Sequence, residues 1–72
     1  MTALEIIDRI KRKDNTDDEW LQIMKDIITF LKENPDSDDR KYFVPLGYSE
    51  MVTMICDGIL RERGSSLDEY FG

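Results

Sequence analysis

The sequence predicts an all-α protein, a small three-helix bundle, and three observations predict it. An apolar stripe, Trp20–Ile23–Met24–Ile27–Ile28–Leu31, recurs at intervals of three and four, which places six side chains on one helical face. The pattern S/T-x-x-E stands ahead of three segments, at Thr2–Glu5, Thr16–Glu19 and Ser66–Glu69. In such a box the hydroxyl and the carboxylate each take a backbone N–H that the first helical turn leaves unpaired. The segment closest to a strand, Arg40–Pro45, is short and broken by proline.

The first helix is expected over about residues 3–13. Leu4, Ile7 and Ile10 share a side, with Ile6 beside them, and the basic cluster Arg9–Lys13 falls at the carbonyl end, where cations are favoured. Asp14-Asn15 makes the turn. The second helix is expected over 17–34, stopped by Asn34-Pro35. Leu21 and Phe30 widen its stripe, and an arc that wide calls for more than one neighbour.

Residues 35–48 are an irregular connection. Pro35–Asp39 is polar and turn-prone, and Pro45 biases Val44 to an extended backbone. Tyr42, Phe43, Val44, Leu46 and Tyr48 make a dense apolar run. Long unpacked loops are uncommon in compact domains, so a lid folded over the helices is favoured over an exposed binding loop. The third helix is expected over 49–63, with Gly64 as its C-terminal stop. It carries two apolar rows, Met51–Met54–Ile55–Ile59 and Val52–Cys56–Leu60. Gly58 lies inside it at a disadvantage of ~1 kcal/mol against alanine, which points to close approach by another backbone, that of helix two or of a symmetry mate. Ser66–Glu69 opens a short C-terminal turn presenting Leu67, Tyr70 and Phe71.

Seventy-two residues form one domain near the lower size limit for independent folding. One cysteine and no histidine leave neither a disulfide nor the usual zinc ligands to staple it. A single core of this size supplies only ~3–5 kcal/mol, so self-association is expected to add buried area. The unpaired thiol and the absence of a signal-peptide pattern suit a reducing cytoplasm. No run approaches the ~20 apolar residues of a membrane span.

Charge and residue types narrow the functions. There are 16 acids against 10 bases, a net charge of −6. Residues 1–13 carry four bases and two acids, while residues 14–72 carry fourteen acids and six bases. Such a chain repels phosphate backbones and anionic membranes at long range. Without histidine, Cys56 and the serines lack the commonest general base, so no enzyme and no catalytic residue is predicted. Asp36, Asp38 and Asp39, like Asp14–Glu19, do not fit a calcium loop, and the scattered glycines form no phosphate cradle. No metal or cofactor is expected.

Gly47-Tyr48-Ser49-Glu50-Met51-Val52 and the amphipathic stretch after it, to Arg63, resemble the second helix of ribbon-helix-helix repressors. In that family the G-x-S start opens the helix that packs the dimer core. The family reads DNA with a short basic N-terminal strand that has no counterpart here, and residues 35–46 would be an insertion between its two helices. No functional residue carries over.

The leading functional expectation is a small cytoplasmic protein-interaction module that binds another protein or itself as a homodimer. Its candidate surface is Tyr42, Phe43, Tyr48, Met51 and Met54, because aromatics and methionine are enriched at binding surfaces. The same five residues would equally serve to complete the monomer core. The alternative is a nucleic-acid-linked regulator. That would be a diverged ribbon-helix-helix-like DNA binder, or an acidic DNA mimic of the kind used by phage inhibitors.

Overall fold

A computed structural model describes all 72 residues. Four α-helices and one 3-10 turn follow in the order α1 (Ala3–Ile10), α2 (Asp17–Glu33), the 3-10 segment Asp38–Tyr42, α3 (Tyr48–Glu62) and α4 (Leu67–Phe71). The fold is the predicted three-helix bundle, with a short fourth helix at the end. Its radius of gyration, 11.9 Å, is close to the ~11 Å of a compact chain of this length.

The capping boxes start the two leading helices as the sequence predicts. The Thr2 hydroxyl accepts from the Glu5 N–H at 3.2 Å, and Glu5 accepts from the Thr2 N–H at 3.0 Å. Thr16 and Glu19 repeat the exchange at 3.2 and 3.1 Å. Donation by the backbone N–H and then the hydroxyl of the threonine holds each glutamate below its ordinary pKa. The third box is only half formed. Ser66 accepts from the Glu69 N–H at 3.2 Å, but the Glu69 carboxylate takes the Ser65 hydroxyl instead of closing the reciprocal bond.

Helix α1 ends at Ile10, three residues before the expected end. The Asn15 amide donates to the Arg9 carbonyl at 2.8 Å and closes the turn there, and Lys11–Lys13 offer nothing apolar to bury. The buried face also differs: Ala3, Ile6, Ile7 and Ile10 enter the core, while Leu4 is 61% exposed. At 3.6 residues per turn, Leu4 lies about 110° round the helix from the centre of that arc.

Helix α2 is the scaffold. Its predicted stripe is at least half-buried throughout, but the most deeply buried positions include the flanking Leu21 and Phe30 along with Ile23 and Ile27. Trp20, Met24, Ile28 and Leu31 between them are half-buried. The arc is shared between neighbours: α1 on one side, tied by Arg9–Asp26 at 2.5 Å, and α3 on the other. There the Cys56 thiol donates to the Trp20 carbonyl at 3.4 Å.

Residues 35–48 fold back as a lid. Phe43 has no exposed surface and meets Phe30 edge to face, with ring centroids 5.6 Å apart. Arg40 reaches across to donate to the Leu31 carbonyl at 2.6 Å, binding the lid to the end of α2. The Ser49 hydroxyl donates to the Phe43 carbonyl and fixes the lid to the start of α3. Gly47 is required at this junction. Its φ is +106°, and a Cβ there would stand 2.5 Å from the Tyr42 carbonyl oxygen. Leu67 and Phe71 of α4 are half-buried against the core rather than presented to solvent, and Tyr70 stays exposed beneath the Lys25 ammonium. The twelve buried residues contain no polar side chain except the Cys56 thiol.

Candidate functional site

The two apolar rows of α3 separate. Val52, Cys56 and Leu60 turn inward and are buried. The line opposite Cys56 is the solvent line of the helix, and Met51, Met54, Gly58 and Arg61 lie within about 40° of it. Met54 is 70% exposed and Met51 41%, with half-buried Ile55 and Ile59 alongside. An amphipathic helix packed on one side normally carries polar residues along that line.

The apolar surface continues onto the lid. Lys41, Tyr42, Gly47, Tyr48 and Met51 line a shallow depression of about 450 Å³. Gly47, Glu50, Met51, Met54 and Ile55 line a second, of about 340 Å³. The two share Gly47 and Met51, so they form one groove from the lid to the middle of α3. Leu46, 65% exposed, stands at the lid tip.

Of the five residues singled out in the sequence, Tyr42, Tyr48, Met51 and Met54 line this groove. Phe43 does not: it belongs to the core, because the lid turns it inward onto Phe30. Sequence reasoning missed Leu46, Glu50 and Arg61 as members of the same surface, and singled out Gly58 only for the approach of another backbone. The signal was present for Gly58, which follows Met51 by seven residues and Met54 by four on one helical face. The expectation that another backbone approaches Gly58 is not met within the monomer. Gly58 is exposed, and a Cβ placed there would touch nothing within 4 Å.

Charged side chains stand at both ends of α3. Glu50 lies near the start and forms no ion pair, while Arg61, near the end, is held by Asp57 at 3.1 Å. The N-terminal basic cluster is dispersed, since Arg9 is committed to Asp26. The acids of the lid do not converge: Asp38 and Asp39 occupy the first turn of the 3-10 segment, and nowhere do three metal-ligating side chains come together. Cys56 is fully buried, and burial pushes its thiol up to about 11, so at neutral pH it stays protonated. The chain contains no strand, and so no ribbon of the repressor type precedes its helices. No helix is long and apolar enough to cross a membrane. Compared with known protein families, curated proteins and solved structures, the chain matches none.

Proposed function

We propose that this chain is a non-catalytic protein-interaction module of the cytoplasm that docks its partner on the outer face of α3 and the adjoining lid. One observation carries the reading: the first half of the solvent line of α3 is apolar at Met51 and Met54, and it continues into the Tyr42–Tyr48 groove. Methionine suits the task because its flexible thioether adapts to the facing surface, and tyrosine adds rigid contact area with a polar end. Solubility does not call for Met51 and Met54 on the most exposed line of a helix, where charged residues are the usual choice. The acidic surface would also suit imitation of nucleic acid, but the placement of the acids does not favour that over ordinary solvation.

The reading is tested by photo-crosslinking in the native cell, with benzoylphenylalanine at position 54 and, as a control, at position 32 on α2. Position 54 is expected to give a discrete adduct whose peptides identify a defined protein, and Met51→Glu is expected to abolish it. No adduct at 54, or the same products from 32, would contradict the proposal.

A further inference from the structure

We infer that the partner for which this face is built is a second copy of the chain, with the two α3 helices packed antiparallel and Met51 of each seated over Gly58 of the other. The inference rests on the docking reading above and names its occupant.

Three features of α3 fit one twofold axis. The first is the notch. Gly58 lies on the exposed apolar line, where no contact of its own monomer needs a glycine. A missing side chain on a helix surface is a hole into which a facing side chain fits and across which two backbones approach closely. The second is register. In an antiparallel twofold pair, the numbers of facing residues have a constant sum. Seating Met51 over Gly58 brings Met54 opposite Ile55 of the other copy, so both methionines meet apolar surface. Tyr48, Ile55 and Ile59 all lie on one flank of this line, and the same axis brings that flank against itself.

The third feature is charge. Glu50 and Arg61 lie together on the other flank, at opposite ends of the patch. The axis that seats Met51 over Gly58 brings Glu50 beside Arg61 of the other copy, offset by two residues, or about 3 Å along the helix. That is within reach of both side chains, and the axis makes the pair twice. A parallel arrangement offers neither pair and aligns the two helix dipoles unfavourably. Asp57 already holds Arg61 at the rim of the patch, whereas Glu50 has no partner in its own chain. A surface complementary to itself in shape, apolar register and charge specifies a copy of itself more narrowly than it specifies any other protein.

The size of the surface sets the expected strength. A standard interface takes ~800 Å² from each partner, about a sixth of the 4959 Å² this monomer exposes. One helix face with the lid tip falls toward the low end, so the dimer is of the reversible, concentration-dependent kind.

Sedimentation equilibrium of the full chain tests this, with far-UV circular dichroism confirming that each variant folds. The wild type is expected to show a monomer–dimer equilibrium in the micromolar to submillimolar range. Gly58→Leu fills the notch and is expected to abolish dimerisation without loss of helicity. Glu50→Arg is expected to weaken it about tenfold by reversing two rim pairs, and adding Arg61→Glu to recover most of that loss. A wild type that stays monomeric at millimolar concentration overturns the inference. So does a dimer indifferent to both Gly58→Leu and the charge swap. A monomer whose position-54 adduct holds only another protein's peptides would leave the docking reading standing and remove self-pairing alone.

Discussion

At the scale of single residues, two glycines of α3 and its approach have opposite standing. Gly47 is held by its own fold: its backbone is left-handed, and the Tyr42 carbonyl occupies the space a Cβ would need. Gly47→Ala is expected to destabilise by roughly 1–3 kcal/mol, the range for strained backbone, as read by urea denaturation. Gly58 has no such tie. Gly58→Ala is expected to stabilise the dilute monomer by about 0.4–1 kcal/mol, because alanine loses less freedom on entering a helix. The same substitution should weaken association, so monomer stability and dimer affinity move in opposite directions. Cys56, a desolvated thiol against the Trp20 carbonyl, is expected to react with a thiol reagent only at the rate of unfolding. Prompt labelling of the native chain would show that α3 opens locally.

At the scale of elements, what was legible in the sequence was local. The capping boxes of α1 and α2 close within four residues and need no tertiary partner, so Thr16 and Glu19 could be read directly. Thr16→Ala is expected to lower stability by ~1 kcal/mol. The bound glutamates also set a pH dependence. Both Glu5 and Glu19 are held below their ordinary pKa in the folded chain, so their contribution is complete above the ordinary glutamate value of ~4.3 and is lost as pH falls through the lowered one. Glu19→Gln should therefore flatten the acid limb of a stability–pH curve, and Glu5→Gln should flatten it further. The lid was less legible, because the bonds that shape it are not local: Arg40 to Leu31, Ser49 to Phe43, and Phe43 onto Phe30. The assignment of the two rows of α3 was not legible at all. Both are apolar at helical spacing, and only the position of α2 decides that Val52–Cys56–Leu60 turns inward. The same limit misplaced Leu4, whose spacing to Ile7 and Ile10 suits a face that tertiary packing shifted toward Ala3 and Ile6.

At the scale of the whole molecule, the bundle uses α2 as a shared wall. Ile27 sits at its centre with no exposed surface. Ile27→Ala should cost roughly 2–5 kcal/mol, as much as a core of this size supplies, and the variant is expected to be unfolded by circular dichroism at room temperature. Trp20→Ala should be milder, since the indole is half-buried at the end of the wall. With α1, the lid and α4 all spent on covering α2 and the inner row of α3, the outer face of α3 keeps Met51 and Met54 without a neighbour. A dilution series followed by amide chemical shifts tests that assignment most directly. The account predicts concentration-dependent shifts at Glu50, Met51, Met54, Ile55, Gly58 and Arg61, with α1 and the outer surface of α2 unmoved. Shifts centred on α1 or α2, or none at any concentration, would contradict it.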